Sequence, residues 1–128
     1  MPDLELPAVL VATVAAFACG GAYYAALGDR LALVSDVPAE SPEPWRLGAE
    51  LLRCLVLAAV VAGLAAQGRI DEWTGGLALG LTLWVGFPAV LLGGAMLHER
   101  MRFGHAAIHA GDWLLKLLLV GALVAVLQ

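Results

Sequence analysis

Four polar side chains recur along the last apolar stretch of the chain: His105, His109, Asp112 and Lys116, separated by steps of 4, 3 and 4 residues. At about 100° per residue they fall in a band roughly 60° wide, so one face of an apolar helix carries two imidazoles, a carboxylate and an ammonium. These groups suit proton exchange, the holding of an anion at Lys116, or mutual neutralisation, since Asp112 and Lys116 are four residues apart, where helical side chains meet. A metal is the weaker alternative. His105, His109 and Asp112 supply three ligands from one face, but helical sites of this kind recruit a second helix. No nucleophile paired with a base, phosphate-cradling glycine loop or haem ligand pair accompanies the stripe, so neither a catalytic residue nor a cofactor is expected and the chain is not read as an enzyme.

The segment that carries the stripe, 106–127, holds no further ionisable residue and is long enough to cross a bilayer. Placed centrally and unpaired, Asp112 and Lys116 would each cost about 2.5–3.5 kcal/mol there, so they need partners or a use. The rest of the chain is built the same way: of its 128 residues 62% are hydrophobic and only 14% charged, and the mean hydropathy is +0.88. Apolar runs predict spans at about 6–28, 46–67, 73–97 and 105–127, apolar nearly all round rather than on one stripe as in a soluble bundle. The expectation is all-α: a single integral membrane domain over 1–128, a four-transmembrane-helix bundle. Acidic Asp3 and Glu5 precede the first run where a secretory signal is basic, so that run is read as a retained span. The net charge of −4 comes mostly from Asp29, Asp36, Glu40 and Glu43, and no basic cluster offers a surface to nucleic acid. The partner expected first is the lipid bilayer.

Orientation follows from the arginines. Arg30, Arg46, Arg100 and Arg102 lie in or beside the connections 28–45 and 98–104, with Arg53 a little further in, whereas the opposite side holds only Arg69. The positive-inside rule then puts both termini outside and the first and third loops in the cytoplasm. On that reading Lys116 lies about 16 Å deeper than His105, close to the midplane. The second span brings in Glu50 and Arg53 early, and the first span ends with Tyr23 and Tyr24. His109, Asp112, Lys116, Glu50, Arg53, Tyr23 and Tyr24 are therefore the candidate site. Two readings stand side by side. In one, Glu50 with Arg53 and Asp112 with Lys116 form two ion pairs that fix helix packing, in a structural or accessory membrane subunit. In the other, a water-accessible pocket in the cytoplasmic half binds or transports a small polar ligand or protons, with His109 titrating in contact with Asp112. Cys19 and Cys54 are read as small apolar fillers.

Pro38, Pro42 and Pro44 keep the first loop from being continuous helix, 31–34 is suited to rest on the membrane surface, and Pro88 should kink the third span. Gly76 and Gly80 have GxxxG spacing, which allows close helix approach in a tight bundle and leaves room for a homo-oligomer or a membrane protein partner. The doublets Gly20-Gly21 and Gly93-Gly94, each followed by Ala, allow an arrangement of two parallel helical hairpins.

Gly21-Ala22-Tyr23-Tyr24, Gly86-Phe87, Glu99 before a short basic loop with Phe103, and Ala110-Gly111 resemble the motifs of a family of small bacterial four-helix membrane proteins described only as a domain of unknown function. The resemblance covers nearly the whole chain and implies a bundle in a bacterial inner (plasma) membrane. In that family the last helix is polar on a similar face but carries Asn where His109 stands, Tyr at Asp112, His at Trp113 and an apolar residue at Lys116. The resemblance thus implies fold and location, and no family-wide catalytic or metal role for Asp112 and Lys116.

Overall fold

Ala- and Leu-rich apolar sequence produces helix and no strand among the described residues of the computed structural model, which describes residues 5–34 and 44–128. Five helical segments follow in order: α1 (Leu6–Val34), α2 (Pro44–Gln67), α3 (Trp73–Gly86), α4 (Pro88–His98) and α5 (Phe103–Leu127). α3 and α4 together make one membrane-length stretch, so four helices are long and apolar enough to cross a membrane. The protein is an all-α four-helix bundle.

Three boundaries differ from the hydropathy reading. α1 continues past Gly28 through Asp29 and Arg30 to Val34, because backbone hydrogen bonding, not hydropathy, decides where a helix stops. The stretch 31–34 is therefore the last turn of α1. α2 starts at Pro44, where the missing N–H would have had no helical partner. The third span is broken in two: Phe87 leaves helical geometry at φ −122° and ψ −74° just before Pro88, while its own N–H still reaches the Leu83 carbonyl at 3.0 Å. The expected kink is a one-residue break at Phe87, with helical hydrogen bonds kept on both sides of it. Asp36, Pro38, Glu40, Pro42 and Glu43 of the first loop, and Asp3, lie outside the described residues.

The ends of α2 and α4 share a device. Arg69 and Arg100 take the left-handed conformation, with φ 54° and 56°, and turn the chain sharply into the next segment. After α2, Arg69 and Ile70 donate to the Ala66 and Ala65 carbonyls at 3.2 and 2.9 Å, closing a Schellman turn without its usual glycine.

α5 contacts every other helix and is the centre of the molecule. Its core face, Leu117, Val120 and Val124, meets Val9, Ala12 and Ala16 of α1 and Cys54, Ala58, Val61, Ala62 and Ala65 of α2. Small side chains at these positions bring the helices close, which replaces the hydrophobic drive that lipid does not supply. α3 packs most extensively on α5, and glycine explains why: a Cβ on Gly76 would collide with the Gly121 carbonyl, and one on Gly80 with the Leu117 carbonyl. The two glycine doublets, by contrast, sit in unlike surroundings. Gly20 is pressed against the Lys116 side chain, whereas Gly93 and Gly94 face open space.

The distribution of polarity is inverted relative to a water-soluble protein. Asp112 and Lys116 are 4% and 6% exposed, while Leu10, Val14, Val60, Leu91 and Leu97 lie on the outside. Such a surface fits hydrocarbon as its solvent and gathers the costly polar groups in the bundle interior. The chain is a membrane protein.

Candidate functional site

The buried charges meet between the middle of α5 and the first turns of α2, in the half of the bundle where α2 and α5 begin. α5 presents Asp112 and Lys116 one turn apart, and Lys116 Nζ lies 3.1 Å from Asp112 Oδ2. α2 presents Glu50 and Arg53, also one turn apart, with Arg53 Nη1 at 2.8 Å from Glu50 Oε2. The second Glu50 oxygen, Oε1, lies 2.9 Å from Lys116 Nζ and links the two helices. What reads in sequence as two separate pairs is therefore one chain, Arg53–Glu50–Lys116–Asp112, with two positive and two negative members. Lys116 is its pivot, since a single ammonium holds a carboxylate from each helix.

α1 supplies the space and two hydroxyls. Gly20 lies against Lys116, where a Cβ would stand 2.8 Å from Cε and 3.1 Å from Nζ. The Tyr24 hydroxyl and His109 Nδ1 hydrogen-bond at 2.7 Å, so the partner of His109 is Tyr24 and not the Asp112 carboxylate. The Tyr23 hydroxyl donates to the Ile108 carbonyl at 2.6 Å, and Gly111 leaves room for that ring, because a Cβ there would collide with the hydroxyl. From the other side of α5, Trp84 Nε1 of α3 donates to the Ala110 carbonyl at 2.9 Å. Two aromatic side chains thus bond to the same turn of the α5 backbone next to the charges and fix its depth and rotation.

A cavity of about 380 Å³ opens between α1, α2 and α5, and Glu50, Arg53, His109, Asp112, Trp113 and Lys116 are on its wall together with Gly20, Gly21 and Tyr24. At roughly 30 Å³ per water it has room for several waters or a small solute. Asp112 Oδ1 is buried and has no hydrogen-bond partner. Of the residues expected from sequence, His109, Asp112, Lys116, Glu50, Arg53 and Tyr24 line this cavity, while Tyr23 and His105 do not. His105 instead packs its ring on His109, with centroids 4.7 Å apart. Among the described residues no three His, Cys, Asp or Glu side chains come together as a metal would require, so the alternative triad of His105, His109 and Asp112 is not assembled. Sequence reasoning missed Gly20 and Trp113 as parts of the wall. The Gly20 doublet was a visible signal for close approach, but what approaches it is set by tertiary packing.

A family model described as Protein of unknown function (DUF1761) matches residues 7–125. The chain belongs to the DUF1761 family. The match takes in all four membrane-length helices, and with them every residue of the charged cluster. No curated protein and no solved structure matches this DUF1761 chain.

Proposed function

We propose that this protein binds or transports a small polar ligand or protons in the cavity between α1, α2 and α5, with Asp112, Lys116, Glu50 and Arg53 as the groups that meet it and His109 with Tyr24 beside them. The arginine distribution supports an orientation in which this half of the bundle faces the cytoplasm of a bacterial cell and both termini lie outside. One observation carries the reading: a buried carboxylate, Asp112, is on the wall of a cavity of about 380 Å³, and its enclosed Oδ1 makes no hydrogen bond within the protein. Leaving such an oxygen unsatisfied costs about 1–3 kcal/mol or more, and a water, a proton or a ligand donor in the cavity removes that cost.

A second reading is favoured by the geometry of Lys116. An ammonium shared by Glu50 and Asp112 ties α2 to α5 and, together with Arg53, balances both carboxylates, as a structural or accessory subunit would need for helix packing or oligomerisation. It accounts for the pairs but not for the cavity or the unpartnered oxygen.

Water access separates the two. Gly21 is on the cavity wall and an added Cβ there meets nothing within 4 Å, so a cysteine can be introduced without displacing a neighbour. With Cys19 and Cys54 replaced by Ala, Gly21→Cys is expected to react with a charged, membrane-impermeant thiol reagent, while Val56→Cys on the apolar outer surface of α2, away from the cavity, does not. Equal failure of both cysteines to react would contradict a water-connected pocket and leave the packing role.

A further inference from the structure

A second cavity is lined by the residues that follow those of the first along α2. It measures about 580 Å³ and is walled by Leu57, Val60, Val61 and Leu64 of α2, by the α3–α4 break and start of α4, and by Trp113 and Leu117 of α5. It exists because α2 scarcely touches α3 and does not pack on α4. Trp113 lines both cavities. On α2, Glu50 and Arg53 of the polar cavity and Leu57, Val60, Val61 and Leu64 of the apolar one fall in a single sector about 100° wide. One helix face therefore passes from charged to wholly apolar over about 21 Å from Glu50 to Leu64.

We propose that the two cavities are one site for a single-chain amphiphile, whose small head occupies the Arg53–Glu50–Lys116–Asp112 cavity and whose tail runs past Trp113 into the groove between α2 and α4. This rests on the pocket reading above and names its ligand class. The head carries an N–H or O–H donor, because Asp112 on the cavity wall, with a side chain only 6% exposed, gives one oxygen to Lys116 and leaves the other, Oδ1, without a hydrogen bond, to be reached once the head displaces the side chains that enclose it. The head also carries an anionic group for Arg53, whose side chain is 64% exposed at the edge of the cluster. Since the four charges of the cluster cancel, a head of no net charge suits it, and an ammonium with a phosphate is such a head. A tail rather than a second solute fits the apolar cavity, whose lining side chains are all apolar except for the Trp113 indole N–H. Arg53 lies nine residues into α2, about 14 Å below its start, so the head is drawn well below the plane where bulk lipid heads lie.

The probes are lysophosphatidylethanolamine and lysophosphatidylcholine with the same acyl chain, which differ in that only the first has N–H donors. Offered together at equal concentration to the full chain in detergent and read by native mass spectrometry, lysophosphatidylethanolamine is expected to be retained by about tenfold or more, the value of a hydrogen bond to a charged acceptor. Asp112→Asn, which exchanges the carboxylate for an amide, removes that preference. Val60→Trp fills the groove from the α2 side, and Leu91→Trp from the α4 side; at these outward positions either preserves helix content by circular dichroism and loses both probes. Equal retention of the two lipids, or undiminished retention in both tryptophan variants, overturns the proposal. Reaction of Gly21→Cys with aqueous reagent alongside equal lipid retention means that the pocket stands and only its ligand class is wrong. Absence of that reaction means that the pocket itself has failed.

Discussion

Lys116 is held by two carboxylates at 2.9 and 3.1 Å, one from its own helix and one from α2. Removing it in Lys116→Leu leaves Glu50 and Asp112 facing a site that has lost its cation, and loss of one member of a buried ion set costs about 3–5 kcal/mol. The double variant Asp112→Leu with Lys116→Leu removes one charge of each sign and leaves Glu50 paired with Arg53. It is expected to recover at least half of the loss when unfolding is followed in mixed micelles; a double variant no more stable than the single one would show that the ions do not act as a set. The Asp112–Lys116 contact was legible in sequence because four-residue spacing on a helix is local geometry. The Glu50–Lys116 bridge was not, since it joins positions 66 residues apart and depends on how α2 is rotated against α5. His109 shows the same limit. Its spacing pointed to Asp112, but Tyr24, 85 positions away, takes its Nδ1.

At the scale of helices, closeness is obtained from glycine at three points of the α3–α5 contact, Gly76, Gly80 and Gly121, each of which faces backbone with no space for a Cβ. Gly80→Ala is expected to destabilise the bundle by about 1–3 kcal/mol, as overpacking against an unyielding main chain does. Gly93→Ala, on α4 where a Cβ meets nothing within 4 Å, should be neutral or stabilising by up to about 1 kcal/mol through helix propensity. Unfolding of the two variants side by side checks both signs. The GxxxG spacing of Gly76 and Gly80 was readable, but its partner was not, and the structure shows it used within the chain against α5. Helix number was readable because it follows from hydropathy, which the bilayer thickness turns into length. The extension of α1 to Val34 was hidden because Asp29 and Arg30 mark where apolar sequence stops, whereas the helix continues on hydrogen bonds alone. Pro88 announced a defect in the third span, and its extent, a break beside a groove on α2, emerged only from tertiary packing, in which α3 lies along α5 far more extensively than α4 does.

For the molecule as a whole, the arrangement is an apolar exterior around a small charged interior with a cavity beside it. A bundle needing only stability in lipid has no use for four ionic side chains, and a buried ion set of this kind is weak evidence for stability. Membership of the DUF1761 family over residues 7–125 gives the whole molecule a lineage but no activity. Its function is therefore argued from the site: an intramembrane pocket that water can enter. The most direct measurement of that claim is hydroxyl-radical footprinting of the wild-type chain in a bilayer, since radicals formed from water oxidise the side chains that water touches. Tyr24 and Trp113, on the cavity wall, are expected to be oxidised well above Trp84, whose indole is bonded to the Ala110 carbonyl at the α3–α5 contact. Oxidation of Tyr24 and Trp113 no faster than that of Trp84 would mean a dry interior, and would contradict the account.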